Sequence, residues 1–276
     1  MTSYDVTCAI VVYNNEPRIM LRAAQSFLNT SLKVRLYIVD NSPDNRLQGV
    51  VTGPNVEYVC NGVNRGFGAA HNQIIDKVLG KSRYHLIMNP DVYFTPGVVE
   101  KLFDHMEDHR DTGCVLPKVF YPDGSIQYLC KLLPTPLTLF ARRFMPFCLR
   151  ALSDKASFRY EMRFTGYDRM MEVPYSSGAF MFLRNEAIAQ AGKFDERFFM
   201  YLEDVDFSRR MNEHYKNVYL PEVCIFHDHV RGSYKNIALL SRHIVSAVRY
   251  FNKWGWFFDR VRTSVNKRAR EQFGLF

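Results

Sequence analysis

Residues 6–39 read VTCAIVVYNNEPRIMLRAAQSFLNTSLKVRLYIV, and this stretch decides the fold. Residues 6–13 form an apolar, β-branched run of strand length. Residues 17–28 then carry apolar side chains at helical spacing, with Pro17 suited to a first helical turn. A second strand run follows at 36–39. Strand, helix and strand at this spacing predict a crossover unit, whose two strands must lie parallel because the helix carries the chain back along one face.

Working outward, the alternation continues. Residues 56–60 read as a third strand, 67–79 as a helix, 84–88 as a fourth strand, and 95–109 as a helix with Pro96 at its first position. After Thr112 two strand-like runs flank the turn Pro122-Asp123-Gly124. Residues 134–172 are irregular and predict a helical insertion. A strand pair over 173–183, a helix over 204–215, a short strand at 218–220 and a helical region from Lys235 complete the pattern. The expected class is α/β: a nucleotide-binding, mostly parallel sheet flanked by helices, with a helical insertion and a C-terminal helical extension. The expected organisation is a body over 1–230 and an extension over 231–276.

Hydrophobic residues make up 47% of the 276, enough for a large core, which excludes disordered and collagen-like chains. The net charge of +8 is unevenly placed: residues 231–276 hold ten basic side chains against Asp259 and Glu271, and the rest of the chain is balanced. Six cysteines without a CxxC pair predict reduced core thiols. No run approaches a membrane span, and the N-terminal residues lack the pattern of a signal peptide, so a cytoplasmic protein is expected.

Ligands of parallel α/β sheets bind beyond the carboxyl ends of the strands. Four successive strand ends here are polar and short-chained: Tyr13-Asn14-Asn15, Asp40-Asn41-Ser42, Asn64-Arg65-Gly66-Phe67-Gly68 and Asn89-Pro90-Asp91. Each alone fits a turn or cap; together they predict a site. The Gly-Phe-Gly opens a helix and permits close backbone approach to a phosphate or base. It matches neither GxGxxG nor a Walker A loop, which disfavours dehydrogenase and P-loop chemistry. Asp91 offers a hard oxygen to Mg²⁺ or Mn²⁺, with His227 or His229 as an imidazole partner. Glu203 and Asp204 follow an aromatic run, Phe198 to Tyr201, where a partly desolvated carboxylate gains the proton affinity of a general base.

These residues, in this order, resemble the inverting glycosyltransferases of family 2, with the GT-A fold, and especially the bacterial rhamnosyltransferase-like branch. The resemblance spans roughly residues 5–255 and also rests on Ser177-Gly178-Ala179, Phe194-Asp195-Glu196, Glu203-Asp204-Val205-Asp206 and His229 with Gly232-Ser233. It implies a nucleotide-diphosphate sugar donor, dTDP- or UDP-linked with rhamnose favoured, and a glycan or lipid-linked acceptor in surface polysaccharide assembly. By the same resemblance Val12, Tyr13, Asn14, Asp40, Asn64, Gly66, Asn72 and Asn89 line the donor nucleotide. Ser177, Gly178 and Ala179 lie at the acceptor and sugar. Asp91 with His229 or His227 holds Mg²⁺ or Mn²⁺, and Asp204, paired with Glu203, is the catalytic base. The family's metal motif begins with aspartate; Asn89 stands there in this chain, leaving the charge to Asp91.

Two other classes compete. A nucleotidyltransferase would share the core and the metal, and a non-catalytic nucleotide or nucleic-acid binder would use the basic end. The aromatics at 250–258 are bunched on a helical pattern rather than interleaved along a sheet, so nucleic acid is not expected. Their position beside Arg260, Arg262, Lys267, Arg268 and Arg270 instead predicts peripheral contact with the inner face of an anionic membrane, unless the apolar face packs on the body.

Overall fold

The computed structural model describes residues 3–139, 150–228 and 237–275. His229, Gly232, Ser233 and the centre of the predicted insertion lie outside the described residues.

The strands are β1 (Tyr4–Val12), β2 (Val34–Asp40), β3 (Val56–Cys60), β4 (Ser82–Met88), β5 (Val92–Tyr93), β6 (Thr112–Phe120), β7 (Met171–Glu172), β8 (Phe180–Arg184) and β9 (Lys216–His227). The helices are α1 (Pro17–Leu28), α2 (Phe67–Val78), α3 (Val98–Asp108), α4 (Arg150–Tyr160), α5 (Asn185–Ala191), α6 (Glu203–Met211), α7 (Ile237–Trp254) and α8 (Arg260–Glu271). The strands join one sheet in the order β3-β2-β1-β4-β8-β6-β9-β5, with β7 paired to β9. Strands β3, β2, β1 and β4 are parallel; β8 runs antiparallel to both β4 and β6, and β6 and β9 are again parallel.

Period-two alternation sends the β1 side chains to opposite faces. Cys8, Ile10 and Val12 join Met20, Ala24 and Phe27 of α1 and Leu102 of α3 in the largest cluster. Ala9 turns the other way, onto Ala70, Ile74 and Val78 of α2. Further along that second face, Ile87, Met181 and Leu183 pack against Ile188 of α5 and Phe207 and Met211 of α6. Near-continuous apolar strands are therefore what a sheet covered on both faces requires.

Several boundaries differ from expectation for local reasons. Helix α3 starts at Val98 because Gly97 takes a left-handed φ of 90° and ends the preceding turn. The Pro122-Asp123-Gly124 turn forms, with Gly124 N–H donating to Tyr121 O at 2.9 Å, but its second arm contributes only the bridge Phe120–Ile126. The segment before β8 likewise supplies one bridge, Lys131–Tyr175, rather than a strand. Strand β9 runs from Lys216 to His227 because a register shift opposite Pro117 and Lys118 absorbs the Pro221 segment.

The C-terminal helices pack on the body. Ala247, Tyr250 and Phe251 of α7 and Val265 of α8 are buried against Leu133, Tyr175, Phe198, Leu202 and Val205. Trp254 Nε1–H donates to Asp206 at 2.7 Å, and the Arg209 guanidinium forks onto Asp259 at 2.5 and 2.8 Å.

Candidate active site

Three strand ends share one floor. Val12 and Asp40 are register partners at the ends of β1 and β2. Asp40 is fully buried and accepts Ser42 N–H at 2.8 Å and the Tyr58 hydroxyl at 2.5 Å. Burial and then the Asp40 charge raise the Tyr58 hydroxyl above its usual range, so it stays a donor. Asn14 takes a left-handed φ of 54°, with its N–H on Ser42 Oγ at 2.9 Å and its Oδ1 accepting from Arg46 at 3.2 Å. The neighbouring Tyr13 ring is half exposed. Asn41, part of the Asp40-Asn41-Ser42 strand end, ties this floor to the next loop: Nδ2 donates to Gly66 O at 3.2 Å and Oδ1 accepts from Asn61 at 2.8 Å. Asn64 Oδ1 accepts Gly66 N–H at 3.0 Å.

The glycines of Gly66-Phe67-Gly68 admit the protein's own chain. A Cβ on Gly66, whose φ is 86°, would lie 2.4 Å from Phe199 O, and one on Gly68 would lie 2.9 Å from Phe194 Cβ. Phe67 N–H donates to that Phe199 carbonyl at 3.0 Å, so a peptide oxygen takes a place at the helix start where an anion was expected. Asn72 serves the same junction, with Nδ2 on Phe194 O and Glu196 Oε1, each at 2.9 Å, and Oδ1 accepting Phe194 N–H at 3.0 Å. The nucleotide role expected of Asn72 is thus set beside a visible structural one.

At the end of β4, Asn89 N–H donates to Ala179 O at 2.9 Å, and Asp91 keeps a partly exposed carboxylate. His227 is brought beside it from the far end of the sheet because β5 pairs with β9, Val92 facing His227. Its Nε2 lies 3.3 Å from Asp91 Oδ1. Buried Gln127, which the sequence did not mark, fixes the ring. The Gln127 Nε2 donates to His227 O at 2.6 Å, so Oε1 is the atom 2.9 Å from Nδ1. A carbonyl oxygen can only accept, so Nδ1 is the ring's donor to Gln127 and Nε2 is the nitrogen turned toward Asp91. A hard carboxylate oxygen and an imidazole nitrogen side by side are ligand types that a divalent cation accepts. No group of three or more acidic, histidine or cysteine side chains placed to hold a metal ion occurs among the described residues.

The acidic pair opens α6 after two left-handed residues, Tyr201 at φ 70° and Leu202 at φ 65°. Such a backbone costs roughly 1–3 kcal/mol per residue and persists only where its surroundings enforce it. The turn separates the two carboxylates. Glu203 is buried, and burial first, then the Asp204 charge, push its carboxyl well above the usual range. The raised proton affinity expected beside the aromatic run therefore falls on Glu203. Asp204 is partly exposed and accepts the Tyr175 hydroxyl at 2.7 Å and Gly178 N–H at 2.9 Å on Oδ2, and Val205 N–H at 2.9 Å on Oδ1.

Residues 177–179 connect the two centres. Ala179 O is bonded to Asn89 and Gly178 N–H to Asp204, so one short segment spans from the strand end carrying Asp91 to the carboxylate of α6. A Cβ on Gly178 would press on Phe67 Cζ at 3.2 Å and Asp204 Cβ at 3.3 Å, which explains the small residue there. Ser177 Oγ accepts Ala179 N–H at 3.3 Å and stays partly exposed.

The family model described as glycosyl transferase family 2 matches residues 7–187. An N-acetylglucosaminyl-diphospho-decaprenol L-rhamnosyltransferase of Mycobacterium tuberculosis is 31% identical over 231 residues, 79% of this chain and 74% of that protein. The low-salt glycan biosynthesis hexosyltransferase Agl10 of Haloferax volcanii is 23% identical over 78% of this chain and 64% of its own length. Among solved structures, GalNAc-T7 with UDP, GalNAc and Mn²⁺ superposes with a TM-score of 0.64 at 11% identity; the match covers 92% of this chain and half of that one. The mannosyltransferase PcManGT of Pyrobaculum calidifontis, with GDP-Man and Mn²⁺, gives 0.56 at 14% identity over 90% of this chain and 67% of its own. The fold is that of GT-A glycosyltransferases.

Proposed function

The chain belongs to glycosyltransferase family 2, and from that premise we propose that it inverts the anomeric centre of a nucleotide-diphosphate sugar while joining it to a hydroxyl of a lipid-linked or glycan acceptor. The observation that carries the proposal is the 177–179 segment, hydrogen-bonded at one end to the Asn89–Asp91 strand end and at the other to Asp204. These bonds support a leaving-group centre and a proton acceptor at the two ends of one short segment.

In this scheme the floor built from Val12, Tyr13, Asn14, Asp40, Asn64 and Gly66 receives the base and ribose. Asp91 and His227 would hold Mg²⁺ or Mn²⁺, which would supply positive charge to the departing diphosphate. Asp204 takes the proton of the acceptor hydroxyl as its oxygen bonds to the anomeric carbon. The bond from that carbon to the diphosphate oxygen breaks, and its electron pair leaves with the nucleoside diphosphate. Glu203, buried, has its carboxyl pushed above the usual range, which favours its neutral form beside the base. The relative named an N-acetylglucosaminyl-diphospho-decaprenol L-rhamnosyltransferase supports a lipid-linked acceptor and rhamnose as the transferred sugar. The proposal adds a dTDP- or UDP-linked donor and a role in surface polysaccharide assembly at the inner face of the membrane. No helix among the described residues is long and apolar enough to cross a membrane, and the contact in this proposal is peripheral.

A panel of nucleotide sugars with Mn²⁺ or Mg²⁺ and a diphospholipid-linked acceptor tests this. One donor should yield an inverted product and a nucleoside diphosphate, and Asp204→Asn should lower transfer by about 10²–10⁴-fold while donor binding persists. Pyrophosphate release, or full turnover by Asp204→Asn, would sink the proposal.

A further inference from the structure

A carboxylate that serves as a base must present one oxygen to the incoming hydroxyl and keep it there. Each carboxylate oxygen carries two lone-pair positions, so the donors around Asp204 determine which positions stay open. Oδ2 accepts two hydrogen bonds, from the Tyr175 hydroxyl at 2.7 Å and from Gly178 N–H at 2.9 Å, and its positions are filled. Oδ1 accepts one, from Val205 N–H at 2.9 Å, and keeps a second position.

We infer that Tyr175 is a positioning residue for this site: with the Gly178 amide, its hydroxyl locks Oδ2 of Asp204 and leaves Oδ1 as the oxygen that takes the acceptor's proton. The inference rests on the assignment of Asp204 as the base.

The surroundings of Tyr175 suit that task. It is 6% exposed, and its ring packs in the cluster formed by Phe198, Leu202, Tyr250 and Phe251, so the hydroxyl cannot swing to water. Its backbone is pinned by Lys131 N–H on Tyr175 O at 3.4 Å. Burial first, and the Asp204 charge next, hold the phenol well above its usual range, so it remains a donor at any working pH. The hydroxyl thus reaches the carboxylate from α6's packing partners, whereas the amide reaches it from the segment under the sugar. Losing either donor frees the carboxylate to rotate, and a displacement near 1 Å costs roughly 10²-fold in rate.

The test is Tyr175→Phe, which removes one oxygen and keeps the ring, measured beside Asp204→Asn and the double variant. The expected result is a 10- to 100-fold fall in kcat with donor KM within twofold of wild type, and no further loss when Tyr175→Phe is added to Asp204→Asn. Wild-type kcat in Tyr175→Phe with Asp204→Asn inactive overturns the role of Tyr175 and leaves the base in place. A parallel rise in donor KM would mark a structural role and overturn the inference as well. Near-wild-type activity of Asp204→Asn removes the base assignment and the inference together. If Tyr175→Phe does not fold, Tyr175→Met, which retains apolar volume, supplies the same comparison.

Discussion

Gln127 decides what His227 can do. Its carbonyl oxygen accepts from Nδ1, which turns Nε2 toward Asp91. Partners of this kind orient metal-binding imidazoles, and their loss typically costs 10- to 100-fold in metal affinity. Gln127→Leu should therefore weaken Mn²⁺ binding by that factor in calorimetry or by the spin resonance of free Mn²⁺, while Asp91→Ala should weaken it more. Unchanged affinity in Gln127→Leu would remove the amide from this role. Asp91, Asp204 and the strand-end asparagines were legible in the sequence because they are short polar residues placed where apolar runs stop. Gln127 and Tyr175 were not, because each sits in an irregular segment and acts on a partner brought close only by the sheet, Gln127 on His227 a hundred positions away. Gly66 and Gly68 were legible as sites of close approach, but periodicity cannot say that the approaching group is the protein's own Phe194–Phe199 chain rather than a phosphate.

At the level of elements, α6 is braced by the hairpin of α7 and α8. Arg209 of α6 forks onto Asp259, both side chains 3% exposed, and Asp259 also caps α8 by accepting Arg262 N–H at 2.9 Å. Burial opposes ionisation of Asp259, but the Arg209 and Arg262 contacts outweigh it and hold the carboxyl below its usual range. A depressed folded-state value means that this stabilisation is present above the unfolded carboxyl's pKa near 4 and is lost as pH falls below it. Removing one partner of such a pair strands the other charge, at about 3–5 kcal/mol. Asp259→Ala should thus lower stability in urea unfolding by that amount. Arg209→Met with Asp259→Leu should recover most of it, since two apolar side chains leave no orphaned charge. Equal loss in single and double variants would mean that the brace lies elsewhere. The sequence showed a helix over 204–215 and one helical region from Lys235, with Asp259 and Glu271 as the acidic exceptions in a basic stretch. It showed α7 as an amphipathic helix whose partner could be membrane or body; Ala247, Tyr250 and Phe251 answer that the buried stripe faces the body.

Over the whole molecule, that packing changes what the basic end can offer a membrane. With Ala247, Tyr250 and Phe251 of α7 covered, the most exposed large apolar side chains at this end are Phe257, 78%, and Phe258, 97%, at the α7–α8 turn, with Val245, Val248 and Val261 exposed to a lesser degree. Arg260, Lys267 and Arg268 face solvent on the adjoining helix, while Arg262, Val265 and Ala269 are buried. An anionic surface would attract such a face by about 1 kcal/mol per basic side chain, or roughly 3 kcal/mol for these three, an effect screened by salt. Two phenylalanines at the tip add interfacial contact. Truncation after residue 258 would remove Asp259 and expose Arg209, so loss of binding in that variant would report unfolding as readily as lost contact. The discriminating change is Phe257→Ser with Phe258→Ser, because neither side chain is buried and the fold should be unaffected. Wild-type protein should co-sediment with phosphatidylglycerol-containing vesicles at low salt, less at high salt, and hardly at all with purely zwitterionic ones; the double variant should lose most of the binding and keep its activity on a water-soluble acceptor. Equal co-sedimentation of wild type and variant would move the membrane contact away from this turn.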